Sequence, residues 1–159
     1  MKRIFITLAT IGLLSAGSIH KAHAGVKDGG SVTVSYAVEN EFQSTFSGAK
    51  DVVWTINSNC QKATFTLNNV KMTAFYDLQG SYLGVTREVK YDEIAAKAKE
   101  TIADKYKDYS VKQVIKYEAL NADVNFEETT YFVDLKNDSK ELLVRVTPSS
   151  NVYFFQEVK

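Results

Sequence analysis

Lys62-Ala63-Thr64-Phe65-Thr66-Leu67-Asn68-Asn69-Val70-Lys71-Met72-Thr73-Ala74-Phe75-Tyr76 decides the fold. Ala63, Phe65 and Leu67 alternate with Lys62, Thr64 and Thr66; Asn68-Asn69 is a turn signal, and Met72, Ala74 and Tyr76 carry the alternation onward. Successive strand side chains point to opposite faces, so this stretch predicts a hairpin with one apolar and one polar face. The pattern extends in both directions. Upstream, Val52, Trp54 and Ile56 alternate with Val53, Thr55 and Asn57, and Ser58-Asn59 forms a loop. Downstream, Asp77-Leu78-Gln79-Gly80 places Asp first and Gly last, as a type I turn prefers, before Leu83 and Val85 in a fourth strand. The expectation is a four-stranded antiparallel meander.

Helical periods flank it. Val34, Val38, Phe42 and Phe46 recur every four residues, predicting a first helix from about Ser35 to Ser47, with Gly48 at a left-handed C-cap. Tyr91, Ile94, Ala95, Ala98, Ile102 and Tyr106 predict a second helix over about 91–107. Asp92 and Glu93 in its first turn, and Lys105 and Lys107 in its last, complement the helix dipole. Strand signals then resume. Val111, Ile115, Tyr117 and Ala119 fit one strand with an irregularity near Gln113-Val114, and Tyr131, Val133 and Leu135 fit the next. Asn137–Lys140 turns into Leu142, Val144 and Val146, and Pro148-Ser149-Ser150-Asn151 turns into a last strand over 152–158.

Each half therefore reads as one helix followed by four strands. Leu67 to Tyr76 and Leu135 to Val144 are both nine apart, Tyr76 to Tyr82 matches Val146 to Val152 at six, and the DLQG turn corresponds to PSSN. The expected architecture is α+β: tandem α-β4 repeats, half one about 34–89 and half two about 90–159, with two helices packed on one face of antiparallel sheet.

The beginning of the chain reads differently. Met1-Lys2-Arg3 is a positive n-region, Ile4 to Ile19 is apolar, and the following HKAHA ends in a small-x-small pattern. These are the parts of a secretory signal peptide over 1–24, cut after Ala24, with 25–33 as a flexible leader. Sixteen apolar residues fall short of the roughly 20 a spanning helix needs. Gly25, not Cys, follows the cut, so lipid attachment is not indicated and a periplasmic or secreted location is expected.

Cleavage changes the chemistry. The full chain carries 19 basic and 19 acidic residues; losing Lys2, Arg3 and Lys21 leaves 16 against 19, a net charge of −3. Both histidines, His20 and His23, leave as well. Without histidine, Ser-His-Asp and Cys-His catalysis and His-based metal sites are excluded. No catalytic residue, cofactor or metal is expected, and the charge gives no basic patch for nucleic acid. Cys60, the only cysteine, is either a buried small hydrophobe or a free thiol, burial being favoured.

The run Phe46-Ser47-Gly48-Ala49-Lys50-Asp51-Val52-Val53-Trp54 resembles the PepSY-like family of secreted bacterial proteins, in which a helix ends in an aromatic residue before a Gly-Ala pair and a Val-x-Trp strand. Ala74-Phe75-Tyr76-Asp77-Leu78-Gln79-Gly80 is similar to that family's hairpin, and Tyr106 and Tyr131-x-Val133-x-Leu135 also fit. The resemblance covers about 35–147. Lys90-Tyr91-Asp92-Glu93 departs from it, since a Leu-Pro pair often opens the family's second helix. The resemblance implies a beta-lactamase-inhibitor-like fold, a non-enzymatic envelope or secreted protein, and protein or peptide binding across an open sheet.

Candidate sites follow from parity. Trp54 is expected as a core anchor under the first helix, with ligand stacking as the alternative. Asn121, Asp123, Asn125 and Glu127 resemble the start of a calcium loop, but Phe126 stands where such a loop needs Gly, and a polar linker is the simpler reading. Glu127 and Glu128 are adjacent and face opposite ways in an extended chain, so they cannot flank one atom. If Tyr131, Val133 and Leu135 face the helices, Phe132 faces away; Leu143, Arg145, Tyr153 and Phe155 join it by the same count. Aromatics, a Leu and an Arg are what protein interfaces favour. In the first half the same face carries Thr55, Lys62, Thr64, Thr66 and Thr73. The expected function is thus a module presenting the second half's sheet to a protein or peptide, as an inhibitor or modulator of an envelope enzyme. The alternative is an envelope carrier holding a small apolar ligand between helices and sheet.

Overall fold

The computed structural model describes residues 34–119 and 129–158. The signal-peptide and leader readings, and the Asn121–Glu128 stretch, lie outside the described residues. α1 spans Tyr36–Thr45, where Ser35 Oγ accepts the Val38 N–H at 3.4 Å as an N-cap, and Val38 and Phe42 turn into the core. β1 (Lys50–Ile56), β2 (Gln61–Leu67), β3 (Val70–Tyr76) and β4 (Tyr82–Val89) follow. A 3-10 turn, Tyr91–Glu93, precedes α2 (Ala96–Lys105), β5 (Ser110–Ala119), β6 (Thr129–Lys136), β7 (Glu141–Val146) and β8 (Val152–Val158).

All eight strands form one antiparallel sheet in sequence order, with β1 and β8 as its edges. The meander follows from turn chemistry. Asn68 and Asn69 both take positive φ between β2 and β3, the backbone a two-residue hairpin needs. Asp77 caps the β3–β4 turn, its carboxylate accepting the Ser81 N–H at 2.7 Å. Gly80 there has φ +95, and a Cβ on it would meet Val38 at 2.7 Å, so this turn packs hard on α1.

The helices bury two clusters. Under α1 lie Val38, Phe42, Phe46, Ala63, Phe65, Ala74, Tyr76 and Val85; under α2 lie Val89, Ile94, Ala98, Ile102, Val114, Val133, Leu135, Leu142, Val144, Val146 and Val152. Val85 and Val89 are four apart on β4, so both clusters sit on the same face of the sheet. Between them, on that face, Glu118 bonds Lys116 at 2.6 Å and lies 3.5 Å from Arg87. Gly84 lets β4 and β5 meet: with φ +150, a Cβ there would stand 2.5 Å from the Glu118 carbonyl and 2.8 Å from the Tyr117 ring.

Five expectations change. The second helix does not begin at Tyr91: Ile94 and Ala95 are extended (ψ 139 and 141), which drives Ile94 into the core and leaves α2 to start at Ala96. Asp92 and Glu93 therefore lie within the 3-10 turn and not in the first turn of α2. The β5 irregularity falls between Val111 and Gln113, so Val114 faces the helices while Ile115 and Tyr117 face away. The last turn is Thr147-Pro148-Ser149-Ser150, one residue earlier than PSSN, with Ser150 at φ 65 in the place Gly80 takes in the first half. Val52 and Ile56 on β1, and Phe154 on β8, are exposed although their parity points them to the core, because an edge strand has a neighbour on one side only.

Candidate functional site

The face opposite the helices is set by the β6–β8 register. Val133 and Val144 lie in the α2 cluster and pair with each other, so their neighbours Phe132, Leu143 and Arg145 point the other way. Val146 pairs with Val152 and Arg145 with Tyr153, which brings Tyr153 to the same side. A bulge on β8 between the Val144–Phe154 and Leu143–Gln156 pairs leaves Phe155 as the extra residue, and its ring meets Phe132 edge-on at 5.0 Å. The Arg145 guanidinium lies 5.4 Å from the Tyr153 ring centre, a cation–π stack. All five residues expected from the sequence thus gather on one face.

They are not equally presented. Phe132 and Leu143 are 3% and 6% exposed, Arg145 and Phe155 are half-buried, and Tyr153 is 49% exposed. Phe132 is flanked by its cross-strand partners Ile115 and Arg145 and by the Phe155 ring. Phe132 and Leu143 are therefore a floor, and Arg145, Tyr153 and Phe155 form the accessible layer over it. Phe154, 62% exposed, extends the apolar edge around β8 to the helix side.

Beside this surface is a charged cluster that parity alone did not single out. Lys112 Nζ bonds Glu141 at 2.7 Å and lies 3.7 Å from Asp134, and Lys136 lies 3.5 Å from Glu141. Asp134 is buried, and its Oδ1 has no hydrogen-bond partner. Burial, with the Glu141 charge, raises the Asp134 pKa against the opposing pull of Lys112. The Lys112 hydrogen bond holds Glu141 below its usual value. An Asp in the middle of the run Thr129-Thr130-Tyr131-Phe132-Val133-Asp134-Leu135 was the available signal.

The first half differs on both faces. Away from the helices, Thr64 and Thr73 share a hydroxyl bond at 3.2 Å and Thr86 donates to the Thr73 carbonyl. Under α1, Phe42 contacts Phe46, Trp54 and Phe65 at 5.3, 5.4 and 4.9 Å. Trp54 is half-buried against this cluster. The Tyr76 hydroxyl is buried without a partner, and burial pushes its pKa up. At the outer margin, α1 and β1 enclose a groove of about 550 Å³ lined by Phe42, Phe46, Val52, Trp54 and Glu39 among others.

Chemically, Cys60 is buried. Among the described residues no group of three or more His, Cys, Asp or Glu comes together to hold a metal, and no helix is long and apolar enough to cross a membrane. The arrangement is a graded apolar surface that carries the Arg145 guanidinium and adjoins the Lys112–Glu141 cluster.

No protein-family model and no curated protein matches the sequence. Solved structures do. A DUF2874 family protein of Bacteroides uniformis superposes with a TM-score of 0.69 at 15% identity, covering 79% of this chain and 91% of that one. A BLIP-like protein of Bacteroides fragilis gives 0.65 at 14%, covering 81% and 89%. A Bacteroides eggerthii protein, provisionally described as periplasmic, gives 0.69 at 13%, covering 79% and 90%. At these identities the likeness establishes the fold: α+β and BLIP-like. None of these neighbours bears the PepSY-like name that the sequence motifs suggested.

Proposed function

We propose that this chain is a non-enzymatic binding module of the periplasm or the secreted space, built from two tandem α-β4 units, which offers the β7–β8 surface to a protein or peptide. The repeat is supported by matched geometry. α1 and α2 are both ten residues long, end on caps of like conformation (Phe46 and Tyr106), and each feeds a strand four residues past its cap. Tyr76 pairs with Tyr82 as Val146 pairs with Val152. Between Trp54 and its partner Ala63 the chain runs nine residues, but between Val114 and Val133 it runs nineteen, so the second unit is the longer by an insertion after β5.

The observation that carries the binding assignment is the Arg145–Tyr153 stack beside the Phe132–Phe155 pair, on a face where the first unit is mostly threonines and lysines, with Phe75 and the edge residue Val53 as its apolar members. Tyr and Arg over a desolvated floor is the composition of an interface hot spot. The partner is a protein whose contact patch is apolar with an acidic group for Arg145, and modulation of an envelope enzyme is the role this would serve.

The test is quantitative recovery of partners from envelope extract on wild-type and Arg145→Ala/Tyr153→Ala baits of equal thermal stability. Recovery at least about tenfold lower on the double variant is expected for a hot spot worth about 2 kcal/mol. Equal recovery on both baits rejects this surface.

A further inference from the structure

We propose a second site, on the first half: β1 is a template to which an extended peptide adds as a ninth strand, its aromatic side chain entering the groove between α1 and β1. It is separate from the β7–β8 surface and stands or falls without it. The hydrogen-bond parity of β1 comes first. The Asn57 N–H donates to the Cys60 carbonyl at 3.0 Å, and bonding pairs recur every second residue, so Thr55–Lys62 and Val53–Thr64 carry the ladder to β2. Trp54 and Ile56 then point their N–H and C=O outward from the sheet. Directly opposed residues share a face, so a peptide residue bonded to Trp54 places its side chain on the Trp54 side.

On that side lies the groove of about 550 Å³, with buried Phe42 and Phe46 as floor and half-buried Trp54 and exposed Val52 as walls. Its size lies within the usual range for ligand sites, roughly 300–1,000 Å³. The edge is regular where it matters. The β1 bulge, with Asp51 at φ 54, sits at the start of the strand and leaves Val53–Ile56 in register. On the other edge the Phe155 bulge interrupts β8 in mid-strand, a device that discourages strand addition. Val53, 61% exposed, and Ile56 give the added strand apolar neighbours on both faces. Glu39 on the α1 rim is the charged residue of the lining, and it selects a peptide with a basic residue beside the aromatic. This is strand addition with one pocket for alternate side chains.

Trp54 is the only tryptophan in the chain, so its emission reports on the groove directly. The probe is an acetylated, amidated heptapeptide, Lys-Thr-Phe-Thr-Val-Thr-Lys, titrated into the full secreted chain. A saturable emission change is expected. The Phe-to-Ser peptide, and the peptide N-methylated at Phe, should each bind at least about tenfold more weakly. Ile56→Pro, which removes an outward N–H and no ladder bond, should weaken binding to the same extent, and Glu39→Lys should weaken it most at low salt. Because the N-methylated probe is tested on wild-type protein, the result does not depend on the proline variant folding. No saturable change up to about 1 mM, an affinity near the weak limit of −4 kcal/mol, overturns the proposal, as does undiminished binding of the N-methylated peptide. Sedimentation showing a dimer that Ile56→Pro dissolves would assign the edge to a second copy and overturn it too.

Discussion

In the half built on α1, the helix-facing core is aromatic: Phe42, Phe46 and Phe65 stack ring against ring, with Trp54, Tyr76 and Tyr82 around them. In the half built on α2, the same face is filled by Val114, Val133, Leu135, Leu142, Val144 and Val146. On the far face the contrast is reversed. There the first half shows mostly threonines and lysines, with Phe75 and Val53 among them, while the second shows Phe132, Phe155 and the Arg145–Tyr153 stack. The first half thus centres its helix-side core on aromatic rings, whereas the second has an aliphatic core with Tyr91, Tyr106, Tyr109 and Tyr131 at its margin and carries a further aromatic group on the far face. Side-chain choice makes most of the difference and the backbone adds to it, since the β8 bulge leaves Phe155 as an extra residue against Phe132; the recognition surface is proposed on the second half for that reason.

The largest test of that contrast is at Phe65 and Leu135, each buried beneath its own helix. Phe65→Ala should cost about 3–5 kcal/mol in denaturant unfolding and Leu135→Ala about 2–5. Their separation is spectroscopic: Phe65→Ala should collapse the near-ultraviolet dichroism, and Leu135→Ala should leave it close to wild type. Equal loss in both would show that the two cores are not packed independently.

A smaller effect distinguishes the helix starts. Ser35 caps α1, whereas Ala95 gives α2 no side-chain cap. Ser35→Ala should lower stability by about 0.5–1 kcal/mol, the low end for caps because the bond is long, and Ala95→Ser should raise it by a similar amount. Thermal melts at one scan rate check both, and a neutral Ala95→Ser would mean that the extended Ile94–Ala95 link, not capping, limits α2.

The smallest effect is electrostatic. The pKa of Asp134 is raised in the folded chain, so the native state binds its proton more tightly than the unfolded chain does. Below the ordinary carboxylate value there is no penalty; as pH rises through the raised value, stability falls and stays lower. Asp134→Asn should therefore remove part of this pH slope and raise stability at pH 7, by less than about 1 kcal/mol because Lys112 offsets the charge. Melting at pH 4 and pH 7 measures it, and an Asn variant less stable at pH 7 would place Asp134 as a net stabiliser through Lys112.

Much of this was legible in the chain. The period of two in Ala63–Leu67 and Met72–Tyr76, and the Asp77–Gly80 turn, specify the central hairpins, because a slip of one residue would expose the whole apolar row. Helix α1 was legible from four residues spaced four apart and from Gly48 after them, whereas the Ser35 cap came from the structure. What was not legible has physical causes. Alternation reports which side a residue faces, not whether anything lies there, so Val52, Ile56 and Phe154 read as core and are exposed at the sheet edges. It equally misses burial on the far face, where Phe132 and Leu143 are covered by neighbours that are distant in sequence. The extended Ile94–Ala95 link keeps helical spacing on either side and leaves no trace in the period.

The most direct test is a photo-crosslinking residue placed at Tyr153 in one protein and at Thr64 in another, each irradiated in the cell envelope. The two positions lie on the same face of the sheet, one in each half. Adducts with a partner protein at position 153 and none at 64 are the predicted result. A silent position 153, or equal adducts at both, would contradict the assignment of recognition to the second half.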